Sequence, residues 1–180
     1  MDWFTEIEAR YKRKNTILIG QDSELLHPLD QACKQAERQV VVLWGLDYAN
    51  RLAQELQPRY PDASIITDVV DKATCWAQGK CKMPEAKRMI LDFHAFAKTI
   101  DDKKDIALCH AIGQACSVVH TPTHALGLPI YQITAMVHQY GIENCKPYIQ
   151  KQVDAYVETL QYWVIHKDDT PRTWAKFLQE

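Results

Sequence analysis

Between Ile106 and Ile142 the chain carries no aspartate, glutamate, lysine or arginine. A stretch of that length without formal charge belongs either in a bilayer or in the interior of a folded domain. A membrane-spanning helix needs about 20 consecutive, predominantly apolar residues. Here His110, Gln114, His120, Pro122, His124, Pro129, Gln132 and His138 interrupt the run. The stretch is therefore read as a helical hairpin buried in the core of a soluble protein, and it sets the fold class as all-α. Its first arm covers about 103 to 120. Thr121 can cap the second arm, with Pro122 at the first helical position. Gly141 ends that arm, and Pro129, which lacks a backbone donor, is expected to kink it.

At 180 residues, 47% of them hydrophobic and 24% charged, the chain can bury one good core and is short for two. That apolar content also excludes a disordered chain. The net charge of -2 argues against a nucleic-acid binder, which shows a basic excess or stripe. Arg10, Lys12, Arg13 and Lys14 do cluster, and they read as a solvated helix end. The first residues hold no basic segment followed by an apolar one, so no secretory signal is visible and a cytoplasmic location is expected. In a reducing compartment Cys33, Cys75, Cys81, Cys109, Cys116 and Cys145 are expected as free thiols. None forms a Cys-x-x-Cys, so no structural zinc is expected. Cys109 and Cys116, seven apart, share a helix face as small apolar residues.

The remaining helices follow from periodicity and punctuation. The first is expected at about 2 to 13. The polar stretch from Asn15 to Pro28 contains a short apolar run, Ile17-Leu18-Ile19, which can be extended or can act as a tether. A long second helix is expected from an N-cap at Asp30 to about Gln57. Cys33, Ala36, Val40, Leu43 and Trp44 line one side of it; Val42, Leu46, Ala49, Ala53 and Leu56 line the other. Apolar stripes on two sides mark a central helix. A third helix covers about 63 to 78, with Gly79 in the C-terminal capping position. A fourth, opened by Pro84, runs to about 99. After the hairpin an amphipathic helix spans about 147 to 165, and Thr170-Pro171 opens a short last one.

The residues that could carry chemistry fall into three groups. The first is the corner His120-Thr121-Pro122-Thr123-His124. Two histidines four apart on a helix can share a metal, but Pro122 places this pair across a corner, and no glutamate follows His120 as a zincin requires. The histidines either tie the corner through hydrogen bonds or form a polar pocket or metal site. The second is the uncharged polar face of the first arm, His110, Gly113, Gln114 and Ser117. Gly113 permits close approach, which serves helix packing or a pocket wall. The third is Asp47, set within an apolar stripe. A carboxylate there must be paired. Arg51 at i+4 can pair with it; alternatively Asp47 orients one of the hairpin histidines. Arg88 and His94 are six apart and do not share a face. No phosphate loop, nucleophile elbow or dinucleotide fingerprint occurs.

Three segments in order resemble a known family: Val42-Leu43-Trp44-Gly45-Leu46-Asp47-Tyr48-Ala49, Cys75-Trp76-Ala77-Gln78-Gly79, and Ala111-Ile112-Gly113-Gln114-Ala115 continued by His120-Thr121-Pro122-Thr123-His124-Ala125. The set resembles the immunity-protein-five-like family of bacterial immunity proteins, over about 32 to 140. The resemblance leaves 1 to 30 and 147 to 180 as helical extensions of one domain. It implies a helical protein tied to toxin systems, and it singles out Trp44, Asp47, Trp76, Gly79, Gly113, His120 and His124. Lys98 stands where the family pattern implies arginine.

The resulting expectation is a single-domain all-α bundle of about six to eight helices. The leading function is a non-enzymatic cytoplasmic binder that neutralises a toxin, needing complementary shape and charge and no cofactor. An enzyme using a metal or small molecule, built on His120, His124 and Asp47 with His110 near, is the alternative. Its pocket would comprise Asp47, His110, Gln114, Ser117, His120, Thr123 and His124. A structural homo-oligomer is the third, with Trp163, Trp174 and Phe177 at a homodimer contact. No nucleic acid and no membrane are expected as partners.

Overall fold

The computed structural model describes residues 2–180. Among them are eight α-helices and no strand: α1 (Trp3–Lys12), α2 (His27–Gln35), α3 (Arg38–Leu56), α4 (Ile65–Ala77), α5 (Met83–Ala97), α6 (Lys103–Ser117), α7 (Gly127–Tyr140) and α8 (Lys146–His166). The uncharged stretch forms α6 and α7, joined by a corner with a 3₁₀ turn at Pro122–Leu126. These two helices make the most extensive pairing in the molecule, and α6 also touches α3, α4 and α5. That position explains the missing charge: Ala107, Leu108, Cys109, Ala111, Ile112, Ala115 and Cys116 are all buried. All six cysteines are free thiols, and Cys109 and Cys116 serve as core.

α3 is the second central helix and packs against α4, α6 and α8. Gly45 lets it approach α6 closely: a Cβ there would stand 3.0 Å from the Ala115 carbonyl oxygen. The end of α4 closes as expected, with Gly79 at φ +72 in a Schellman turn. Its Gly79 and Lys80 amides donate to the Trp76 and Cys75 carbonyls, both at 2.9 Å.

Four expectations give way. The long helix from Asp30 to Gln57 is two helices, because Ala36 and Glu37 are extended at ψ 149 and 147. No glycine or proline marks the break. It is set by packing, since α2 lies on α8 and the Pro122–Leu126 turn while α3 lies on α6. α2 also starts at His27, so Asp30 is inside its first turn and pairs with Lys34 at 2.6 Å. Pro129 kinks nothing: it is the third residue of α7, where backbone donors lack an intrahelical acceptor anyway. Thr121 caps the 3₁₀ turn instead of α7 and makes no side-chain capping bond.

The last helix also fails to form, leaving only a 3₁₀ turn at Lys176–Leu178. The tail binds the domain through its backbone. Ala175 N donates to the Ala77 carbonyl at 2.7 Å. Arg38 reaches the Phe177 carbonyl at 3.1 Å and Gln39 the Leu178 carbonyl at 2.8 Å. Ile17-Leu18-Ile19 proves to be a tether. Leu18 and Ile19 are buried, Leu18 N donates to Thr134 Oγ1 at 3.2 Å, and Gly20 N donates to Glu6 Oε1 at 2.8 Å.

Candidate functional site

The residues singled out from sequence occupy three separate places. Asp47 faces α8. It takes a two-pronged bond from Arg51 at 2.9 and 2.7 Å and a third from Trp163 Nε1 at 3.3 Å. Its hydrogen bonds go to no histidine, so the geometry is that of a structural ion pair.

His120 lies at the corner after α6. Its ring stacks on Trp76 with centroids 5.6 Å apart, and Trp76 in turn contacts Phe177 at 5.9 Å. His120 Nδ1 bonds the Thr121 hydroxyl at 2.6 Å, and its carbonyl accepts from Arg38 at 2.9 Å. This histidine ties the corner to α3 and α4, and the tail's Phe177 meets the same Arg38 and Trp76. Thr123 is exposed nearby.

The third place gathers the most chemistry. His94 on α5 lies against α6 at Gly113, where a Cβ would come within 2.5 Å of the imidazole. The ring fits only because residue 113 has no side chain. There His94 Nδ1 meets His110 Nδ1 at 2.9 Å, with the two rings stacked at 5.0 Å. Tyr131 of α7 covers the His110 ring at 5.1 Å. One turn along α6, Gln114 Oε1 bonds His124 Nδ1 at 2.7 Å. A Cβ at Gly127 would stand 2.4 Å from that amide oxygen, so this glycine too makes room for a polar side chain. Ser117 lies beyond, its hydroxyl donating to the Gly113 carbonyl at 2.8 Å.

His94 was missed from sequence because it was paired with Arg88 and not with the apolar row. It stands four residues after Ile90 and three before Ala97, inside the buried stripe of α5. A histidine in that row, opposite a helix carrying a histidine three residues before a glycine, was the available signal.

Burial pushes the His94 imidazole down to about 4, helped by its neighbours His110 and His124. Burial lowers His110 as well. Two neutral imidazoles with facing Nδ1 atoms must take opposite tautomers, one donating and one accepting, which fixes the roles of both Nε2 atoms. The arrangement can orient one imidazole or present a hydrogen-bonding edge. No carboxylate or thiol joins the pair to complete a three-ligand metal group among the described residues.

A group whose folded pKa is depressed binds its proton more readily unfolded. The His94 contribution to stability is therefore full above about pH 6.5. It is lost as pH falls from there to about 4. Allowing for partial exposure, the loss is about 2 kcal/mol. His94→Gln, which cannot titrate, should flatten the fall in melting temperature between pH 7 and 4.5. An unchanged profile in the variant would show that His94 is not the group responsible.

Comparison with known families decides the relationship. The model of the Imm-5 like putative immunity protein family matches residues 31–159. The chain belongs to this family. The match runs past the three resembling segments and takes in most of α8, including Tyr156, the partner of Trp44, while Trp163, the partner of Asp47, lies beyond it. No curated protein and no solved structure matches the chain. Among the described residues no helix is long and apolar enough to cross a membrane.

Proposed function

We propose that this member of the immunity family is a bacterial, cytoplasmic, non-enzymatic binder that neutralises a protein toxin. The family match supports a protein partner. The surface observation that carries the reading is at the end of α8. There Tyr162, Val164 and Ile165 are 51%, 54% and 73% exposed. Asp168 and Asp169 follow after His166 and Lys167, with side chains 83% and 64% exposed. Tyr162 and Ile165, three apart, share one face of the helix, and exposed apolar side chains beside charged ones are the usual anatomy of a protein-binding patch. The three aromatics expected at a homodimer contact are part-buried and each has neighbours within the chain. Trp163 bonds Asp47, Phe177 contacts Trp76, and Trp174 packs on the core.

A toxin-like reading frame is expected beside the gene, and the test co-expresses this chain with the products of the adjacent reading frames in a host lacking them. Wild type should relieve growth arrest. Ile165→Asp forfeits the burial of one large side chain, about 2 kcal/mol or more. It should weaken binding at least about tenfold and abolish protection, while His94→Gln should keep it. Protection that survives Ile165→Asp but needs the histidines would favour the enzyme. Failure of the wild type to protect would overturn the proposal.

A further inference from the structure

A cavity of about 610 Å³ lies between the end of α1, the connector after it, the first half of α6, and α7. Its volume is that of a small-molecule site. Its lining includes the apolar residues Leu18, Ile106, Ala107 and Tyr131 and three lysines, Lys12, Lys14 and Lys103, with no acidic residue. None of the three enters an ion pair among the described residues. The chain's acidic groups outnumber its basic ones, yet they leave this cleft to one sign of charge. A cleft of single sign with low-dielectric walls concentrates counter-ions.

The turn that ends α1 sets Lys14 beside the cavity. Lys14 has φ +59, a left-handed conformation uncommon for a residue with a long side chain. It is held there by Lys14 N to the Tyr11 carbonyl at 2.9 Å and Asn15 N to the Arg10 carbonyl at 3.0 Å. The tether at Leu18, bonded to Thr134, then closes the side of the cavity. His110 and His138 also reach the lining. Burial, with Lys103 beside it and Asp102 opposing, holds His138 below its ordinary value. It is thus a neutral hydrogen-bonding group at pH 7.

We propose that this cavity binds a small organic anion. Its phosphate or carboxylate lies among Lys12, Lys14 and Lys103, and its ring-sized apolar body lies against Ile106, Leu18 and Tyr131. A bare inorganic ion would leave most of the volume unfilled and the apolar wall without a partner. The site is separate from the α8 patch, so Ile165→Asp should not affect it.

Calorimetric titration of the full chain at low ionic strength tests this with four probes. These are phenyl phosphate, benzoate, inorganic phosphate and neutral benzyl alcohol. Phenyl phosphate or benzoate should saturate with a Kd below about 1 mM, and whichever binds tighter identifies the anionic group. Both should bind at least about tenfold more weakly to the Lys12→Gln/Lys14→Gln/Lys103→Gln variant. The three side chains are exposed, so this variant should keep its melting temperature, and the Tyr131 and His138 ring resonances should shift with the probe only in wild type. Four results would each overturn the proposal: no saturation by either anion, equal affinity for benzyl alcohol, equal affinity for inorganic phosphate (an adventitious ion only), or equal affinity in the triple variant.

Discussion

Trp44→Ala should lower the unfolding free energy by about 3–5 kcal/mol, the cost of removing a large aromatic from a packed core. Trp44 is fully buried, and its Nε1 donates to the Tyr156 carbonyl at 3.0 Å across the α3–α8 contact. Its ring meets Tyr48 at 5.5 Å and Tyr156 at 5.9 Å, and those two rings meet at 4.8 Å. Tyr156 in turn donates to Gln132 Oε1 at 2.6 Å on α7. The truncation therefore empties the junction of three helices. It also loosens the seat of α8, whose far end carries the proposed binding patch. Urea denaturation followed by far-ultraviolet circular dichroism reads the loss as a lowered midpoint. Trp163→Phe, at a half-buried position, should cost under about 1 kcal/mol in the same assay. A Trp44→Ala midpoint matching that of Trp163→Phe would mean the junction is not packed as described.

The second large effect is expected at Asp105, a carboxylate with no exposed surface in the first turn of α6. Tyr60 donates its hydroxyl to Oδ2 at 2.7 Å, and Arg59 Nη1 lies 2.8 Å from Oδ1, close but outside hydrogen-bond alignment. Burial and the Asp105 carboxylate push the Tyr60 hydroxyl up to about 12, so it remains a donor. Asp102 caps the same helix, accepting from Asp105 N at 3.0 Å, and lies 3.5 Å from Arg59. Together these groups pin the turn after α3 to the start of α6. Asp105→Ala leaves the Tyr60 hydroxyl without its acceptor and removes the nearer charge from Arg59. Breaking a buried pair costs about 3–5 kcal/mol. Arg59 is partly exposed and keeps Asp102, so about 2–4 kcal/mol is expected. Asp105→Asn retains an acceptor for Tyr60 and should cost about half as much. Equal losses from the two variants would show that the charge, and not the hydrogen bond, carries the anchor.

Much of the fold is written in local patterns. Three of the five helix ends marked by glycine or proline, at Gly79, Pro84 and Gly141, lie within a few residues of their expected places, because these residues act on the backbone whatever surrounds it. Gly79, at φ +72, is the clearest case. Where a boundary had no such mark, at Ala36-Glu37, periodicity ran straight through it. Pro129 misled for the opposite reason: its local effect depends on which turn of the helix holds it, and the 3₁₀ corner moved the helix start.

The candidate site was half legible. A polar, uncharged face at His110, Gly113 and Gln114 announces that something approaches α6 closely. It does not say that the approaching group is His94, sixteen residues earlier on another helix. Asp47 with Arg51 was legible as an i,i+4 pair, but its third partner, Trp163, lies 116 residues away. Lys12 and Lys14 read as a solvated helix end, since their relation to Lys103 exists only in three dimensions.

The sequence by itself determined the helical class, the buried hairpin and the free thiols. Hydrophobic period, charge exclusion and backbone stereochemistry are properties of neighbours along the chain. Only the tertiary structure decided where the long helix breaks, where the tail binds, which histidines meet and which lysines face one cavity. Each of those depends on which surfaces pack together, and packing energy is shared among residues that are distant in sequence.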